Sequence, residues 1–315
     1  MDELVLPFRK LNKNSTRIAG GKGAQLGEMF NAGIPVPDGF VVLTSAFNQF
    51  IQENEIGMQI SKELSKADQS DMLSIENASN QIRQRILSGI VSKNIRQKVL
   101  ESFKQLNTEL VAVRSSATSE DAAAASWAGE LESYTNTSQK DLIENVKKCW
   151  SSLYTPRAIF YRLEHQMRNE QVSVAVVVQK MVNSEASGVV FTVNPVTKNP
   201  NQIVIEAAFG LGESVVSGKV TPDNYMVNKK SELIENVSIG RQLTQIVKEK
   251  GKSVEKKLAI ELQEKQKLEG KKILEVARVC MAIETHYQKP QDIEFAIEKG
   301  KVYVVQSRPI TTLGN

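Results

Sequence analysis

Cysteine and histidine are nearly absent from this chain. Its 315 residues include two cysteines and two histidines. Cys149 and Cys280 lie far apart in segments that read as helical. They form neither a metal-binding spacing nor a disulfide framework, and are expected as reduced core thiols of a cytoplasmic protein. His165 and His286 each sit in an amphipathic helical segment beside charged neighbours, a poor setting for a nucleophile. No apolar run approaches the ~20 residues of a membrane-spanning helix. The opening Met1-Asp2-Glu3-Leu4 is acidic and lacks the basic-then-apolar order of a signal peptide. Neither sign of charge dominates: 40 basic against 36 acidic residues leave a net +4, too balanced to point to nucleic acid. No internal repeat or low-complexity linker is visible.

What is present is ordinary for a globular protein, with 41% hydrophobic and 24% charged residues. The length suits one large domain or two lobes with a real core. After a short strand and turn, Gly20-Gly21-Lys22-Gly23 reads as a glycine-rich loop. It enters a helix on which Leu26, Met29 and Phe30 recur at helical spacing, and Gly33 stops it. Ile34-Pro35-Val36-Pro37 is a rigid turn, Phe40–Leu43 a buried strand, and Ser45 to Leu110 mostly helical. Strands are expected at Leu110–Val113 and Val172–Gln179, the latter β-branched and covered on both sides. Helices are expected near Gln139–Ser152 and Pro156–Met167. Beyond Met181 the texture turns to β, with strands at Ser187–Thr192, Ile203–Ala207 and from Thr221. Helices are then expected from about Leu243 to His286, where lysine and glutamate interleave between Lys248 and Lys272. The lobe boundary falls near Met181–Asn183, giving an α+β chain with lobes 1–181 and 182–315.

The C-terminal segment reads as a β-hairpin. Counting back from a three-residue turn, Glu298-Lys299-Gly300, pairs Asp292 with Gln306 and Glu294 with Val304. Alternation then puts Asp292, Glu294, Gln306 and Arg308 on one face, and Ile293, Phe295, Ile297, Tyr303 and Val305 on the other. Carboxylate and amide oxygens suit a hard cation, and a guanidinium suits phosphate. A half-buried hairpin with a solvated polar face gives the same pattern.

Other candidates carry similar alternatives. Lys22 and its glycines can cradle phosphate at a helix start, or form a tight turn with a surface lysine. Arg114, where a strand ends, can grip phosphate, or pair with Glu120 or Asp121. The small-residue stretch Ala122–Gly129 can close as a lid or be a surface loop. Gln179-Lys180-Met181-Val182 can offer backbone groups to an adenine edge with Met181 on the ring, or simply be core.

In this order the strings resemble one family: the ATP-binding domain of phosphoenolpyruvate synthase, pyruvate phosphate dikinase and rifampicin phosphotransferase. The matching strings are Ala19-Gly-Gly-Lys-Gly-Ala24, Gly33-Ile-Pro-Val-Pro37, Val113-Arg-Ser-Ser-Ala117 with Ser119-Glu-Asp121, Trp127-Ala-Gly129 and Thr155-Pro-Arg157. They continue with Gln179-Lys-Met-Val182, Ser187-Gly-Val189, Gly210-Leu-Gly-Glu213, Thr221-Pro-Asp223, and Asp292-Ile-Glu294 with Gln306-Ser-Arg-Pro309. The resemblance implies an ATP-grasp fold, two α+β lobes clamping ATP with the C-terminal hairpin lining the cleft. It implies that Lys22, Arg114, Gly129 and Ser133 hold the phosphates, Ser133 standing where a threonine is also used. Gln179, Met181 and Val182 would receive adenine, and Glu185 the ribose. Glu294 and Gln306, with Asp292 nearby, would ligate Mg²⁺. Arg308, with Lys22 and Arg114, would act on the transferred group.

The resemblance also implies chemistry shared with other domains. A histidine on a separate swivelling domain accepts the phosphoryl group, finally retaining the β-phosphoryl, with AMP and phosphate released. The final acceptor sits on a third domain. This chain has no Thr-Ser-His string, so the expectation is a module that activates Mg-ATP but cannot complete a cycle alone. It would be either an excised domain or a subunit of a split enzyme such as phenylphosphate synthase. Pyruvate, giving phosphoenolpyruvate, ranks first among acceptors as the commonest use of the module, ahead of rifampicin or a phenol. A reading of another class is a nucleotide-sensing module without chemistry. The presence of Lys22, Arg114, Glu294, Gln306 and Arg308 together argues against it. Neither nucleic acid nor membrane is expected as a partner.

Overall fold

The β-branched runs become strands of antiparallel sheets, with one main sheet in each of two units. The computed structural model describes residues 3–118, 132–165, 167, 172–249 and 251–311. The first unit is Met1–Glu28 with Asp38–Met181, and the second is Met29–Pro37 with Val182–Asn315. The short segment 29–37 groups with the second unit, where the Val304 N–H donates to the Pro35 carbonyl at 2.9 Å.

In the first unit the elements run β1 (Val5–Pro7), α1 (Thr16–Asn31, whose residues from Met29 on fall in the second unit), β2 (Gly39–Val42), α2 (Thr44–Glu53), α3 (Gly57–Lys66), α4 (Met72–Ser88) and α5 (Lys93–Gln105). They continue with β3 (Val111–Ala117), β4 (Ser133–Thr137), α6 (Leu142–Ser152), α7 (Pro156–Glu164) and β5 (Val174–Lys180). The sheet order is β1-β2-β5-β3-β4. Valine-rich β5 is its centre, antiparallel to both β2 and β3. Alternation sorts the strands onto two faces. Phe40, Val42, Val111, Val113, Val176 and Val178 join the helical core with Phe50, Ile82 and Trp150. Val41 and Val177 are buried on the other face. The Thr155-Pro-Arg157 string has a local cause: the Thr155 hydroxyl accepts the Ala158 N–H at 3.1 Å, and Pro156 opens α7 where its missing N–H costs nothing.

The second unit contains β6 (Ala186–Phe191), β7 (Gln202–Phe209), α8 (Glu213–Val216), β8 (Asp223–Asn228), β9 (Ile234–Ser238), β10 (Thr244–Glu249) and β11 (Lys252–Lys257). It ends with α9 (Ile260–Gln263), α10 (Gly270–Tyr287), β12 (Gln291–Glu298) and β13 (Lys301–Pro309). Its main sheet has the order β13-β12-β6-β7-β8-β9. The buried stripe of α10, Ile273, Val276, Ala277, Cys280 and Ile283, packs on that sheet.

Two expectations are corrected here. The segment expected as helix from Leu243 is a hairpin, β10 with β11, turning at Gly251 with φ 76°. Interleaved lysine and glutamate fit either period, so the charge pattern could not decide. The anchor is non-local: the Leu211 N–H donates to the Ile246 carbonyl at 2.8 Å, which fixes Ile246 inward. Among the described residues of that stretch, α9 and α10 are the helical parts.

The C-terminal hairpin is also re-registered. Its turn has two residues, since Glu298 pairs with Lys301. Lys299 and Gly300 both carry positive φ, 50° and 71°, as a type I′ turn requires. A bulge then inserts Val305, so Phe295 faces Val304 while Glu294 faces Gln306 and Asp292 faces Arg308. The buried side of β13 is therefore Val302 and Val304, not Tyr303 and Val305 as alternation alone assigned.

Candidate functional site

Within the first unit, the candidate residues gather on the sheet face opposite the helical core. Arg114 on β3 lies directly across from Ser133 on β4 and Val177 on β5, and Ala112 lies across from Gln179. Arg114, Ser133 and Gln179 therefore share a face. Ser133 is exposed, whereas Gln179 is 2% exposed.

Lys22 follows a break in α1. Gly20 has φ 68° and ψ 172°, and the helix resumes at once, so Lys22 occupies its first turn rather than an open loop. A Cβ on Gly20 would lie 2.3 Å from the Ser116 carbonyl oxygen, so only glycine fits there. The Gly23 N–H donates to the Ser116 hydroxyl at 3.2 Å. That ties the helix start to β3 two residues from Arg114, and commits the Gly23 amide internally.

Met181 ends this unit with its N–H donated to the Leu110 carbonyl at 3.2 Å, which removes that amide from the set expected to meet adenine. Gly129, Glu120, Asp121 and the stretch Ala122–Gly129 lie outside the described residues. A cleft of ≈ 980 Å³ bordered by Phe47, Ile60, Leu64 and Tyr154 lies on the helical side, away from these groups.

In the second unit, re-registration strengthens the platform: two cross-strand pairs face each other directly. Arg308 holds a single oxygen of Asp292, with Nε at 2.8 Å and Nη2 at 2.7 Å from Oδ2. The Arg308 side chain stays 50% exposed while that of Asp292 is 14% exposed. Burial raises the Asp292 carboxyl above the usual aspartate range, Arg308 pulls it down, and Glu294 adds a smaller upward push.

Beside this pair, Gln306 Oε1 is buried and has no hydrogen-bond donor among the described residues. Such an atom costs about 1–3 kcal/mol if left so. A bound cation would satisfy it, and oxygen donors from an amide and neighbouring carboxylates suit Mg²⁺. Glu185 Oε1 accepts the Lys299 N–H at 3.0 Å, so one of its oxygens braces the hairpin turn. Val182 is buried at the start of this unit.

The raised Asp292 carboxyl has a signed consequence. In a window above the unfolded pKa the native state keeps a proton that the unfolded state has lost, so stability falls as pH rises through it. The metal-free protein should therefore lose stability relative to Asp292→Asn between the ordinary aspartate pKa and the raised one. Urea midpoints of both proteins across pH 3.5–6.5 (roughly the span around that carboxylate range) check this. A difference that stays flat or widens in favour of the native aspartate contradicts it.

Two features escaped the sequence reading. Glu206 on β7 lies across β6 from Glu294, through Val189, on the same face. A lone acid inside Ile203-Val-Ile-Glu-Ala207 was the available signal. The second is the burial of Asp223 with Lys267, both fully buried and joined at 2.8 Å. The Thr221-Pro-Asp223 string hinted at the first partner, but nothing local pointed to the second.

A family model described as pyruvate phosphate dikinase, AMP/ATP-binding domain, matches residues 16–315. The chain belongs to that family. The helices packed on antiparallel sheets bear out the α+β reading. The chain is 46% identical over 312 residues to a probable phosphoenolpyruvate synthase of Methanocaldococcus jannaschii, covering 96% of this chain and 26% of that protein. It is 41% identical over 354 residues to phosphoenolpyruvate synthase of Pyrococcus furiosus, covering 97% and 43% respectively. It is 40% identical over 316 residues to a rifampicin phosphotransferase of Bacillus cereus, covering 99% and 36%. The chain thus spans less than half the length of these relatives. Among the described residues no helix is long and apolar enough to cross a membrane.

Proposed function

We propose that this chain binds Mg-ATP and serves as the nucleotide-activating part of a dikinase-type phosphotransferase. Its phosphoryl group passes to a histidine on a separate swivelling domain, for phosphoenolpyruvate synthesis from pyruvate, with AMP and phosphate released. The observation that carries this reading is the orphaned Gln306 Oε1, set beside Glu294 and the Asp292–Arg308 pair in a chain of this family.

In this reading Gln306 and Glu294 hold Mg²⁺, with Asp292 nearby. The ion, when bound, would neutralise and bridge phosphate oxygens. Lys22, Arg114, Gly129 and Ser133 hold the phosphates, and Gln179, Met181 and Val182 receive adenine. For Met181 the contact is its side chain or carbonyl, since its N–H is committed to Leu110. Glu185 meets the ribose through its second oxygen. Arg308 stabilises charge on the transferred group, and positioning with electrostatics supplies most of the catalysis. The buried free thiols Cys149 and Cys280 support a cytoplasmic setting. The similarity to rifampicin phosphotransferase keeps an antibiotic hydroxyl as the second acceptor reading.

A thermal-shift titration tests the core of the proposal. Saturating Mg-ATP should raise the melting temperature, because a ligand of the native state stabilises it by RT ln(1 + [L]/Kd). Gln306→Ala should retain much of the response to ATP alone and lose the increment added by Mg²⁺. No shift in the wild-type protein at millimolar Mg-ATP would sink the nucleotide reading. An unchanged Mg²⁺ increment in Gln306→Ala would remove Gln306 from the cation site.

A further inference from the structure

Ser133, proposed above as a phosphate contact, opens β4, an edge strand of its sheet among the described residues. There β4 pairs with β3, through Val111–Thr137, Val113–Tyr134 and Arg114–Ser133, with an irregularity between the first two pairs. The residues on either side of Ser133 turn to the helical side of the sheet and are tied down there. Glu132 Oε1 accepts from Arg83 Nη2 of α4 at 2.9 Å, and its other oxygen accepts the Tyr134 hydroxyl. The Glu132 carbonyl accepts both the Ser115 N–H, at 3.2 Å, and the Ser115 hydroxyl, at 3.0 Å. Ser115 in turn meets the Ser152 hydroxyl at 2.9 Å and the Cys149 carbonyl at 3.3 Å on α6. The Lys148 ammonium lies 5.3 Å from the centre of the Tyr134 ring. Burial, and then the bond to Glu132, hold the Tyr134 phenol well above its ordinary pKa, so it stays a donor.

Both carboxylate oxygens and the carbonyl of Glu132 are thus engaged by groups from α4, β4 and β3. The Arg83 and Glu132 side chains are 28% and 31% exposed, so the ion pair contributes little through charge alone. Its value is geometric. Ser133 sits between two anchored neighbours, facing the opposite side, in register with Arg114.

We infer that Arg83, Glu132, Tyr134 and Ser115 form a positioning clamp that holds Ser133 and Arg114 at fixed separation to receive nucleotide phosphate. The inference rests on the nucleotide reading and adds positioning residues to it. Phosphate contacts lose effect with displacements near 1 Å, and side chains tied to α4 and α6 on both sides of Ser133 resist displacements of that size.

The test uses the whole chain and Mg-ATP, with affinity measured by calorimetry and the melting temperature of each nucleotide-free variant as a control on folding. Ser133→Ala and Glu132→Gln should each weaken Mg-ATP binding about tenfold, the size expected for members of one coupled network. The double variant should bind no worse than the weaker single variant. Tyr134→Phe, which keeps the ring, should show a smaller loss. Arg83→Lys should recover most of the affinity that Arg83→Met loses. Wild-type affinity in Glu132→Gln, or losses that add fully with Ser133→Ala, overturn the clamp while leaving the nucleotide reading intact. Wild-type affinity in Ser133→Ala overturns it too. A wild-type chain that fails to bind Mg-ATP overturns both.

Discussion

Asp223→Ala should lower the unfolding free energy by about 3–5 kcal/mol, the range seen when one partner of a buried ion pair is removed. The Asp223 and Lys267 side chains have no exposed surface, and Nζ meets Oδ1 at 2.8 Å. Oδ1 also accepts the Gly240 N–H at 2.9 Å. Oδ2 accepts the Lys267 N–H at 2.7 Å and the Tyr225 hydroxyl at 2.6 Å. One carboxylate therefore collects four donors from β8 and from the loops on either side of the β10–β11 hairpin. Removing it strands an ammonium in the interior and frees two backbone amides. Replacing both charges, in Asp223→Leu with Lys267→Met, should recover part of the loss, because no unpaired ion remains. Urea unfolding followed by circular dichroism measures both. A single-variant loss under 1 kcal/mol, well below the buried-pair range, would mean that water reaches the pair.

Arg308→Ala should slow phosphorylation of a supplied histidine domain by roughly 10³-fold or more, the effect typical of an arginine that neutralises a transferring phosphoryl group. Affinity for ATP should change by less than about tenfold, since in the proposed reading Lys22 and Arg114 would still meet the phosphates. Arg308 is suited to this role because its guanidinium is held by Asp292 yet stays half exposed. The hold has a second effect. Without Arg308 the Asp292 carboxyl loses what lowers its pKa, while burial and Glu294 still push it up. The variant's Mg²⁺ response should therefore fade at a higher pH than that of the wild type. Rapid-quench transfer rates and Mg²⁺ titrations at several pH values check the two parts. Transfer at the wild-type rate would remove Arg308 from the chemistry.

Side-chain chemistry and strand periodicity are properties of neighbouring residues, so much of this protein could be read along the chain. The valine run of β5 and the Thr155-Pro156 helix start were visible that way. So was the shared face of Asp292, Glu294, Gln306 and Arg308, which a paired turn and bulge left intact. Two errors of one residue each, in the turn and at Val305, moved the pairing by two in total and so preserved the face. Closer to the turn only the first error applies, and there Tyr303 and Val304 exchanged sides.

Other features needed partners far along the chain. The β10–β11 ribbon depends on Leu211, the burial of Asp223 on Lys267, and the bracing of Glu132 on Arg83. Lysine and glutamate next to one another look alike in a helix, a ribbon or a buried pair. Desolvation and hydrogen-bond geometry, set only when distant segments meet, decide among these. That meeting also leaves Gln306 Oε1 without a donor, a property no stretch of residues carries alone.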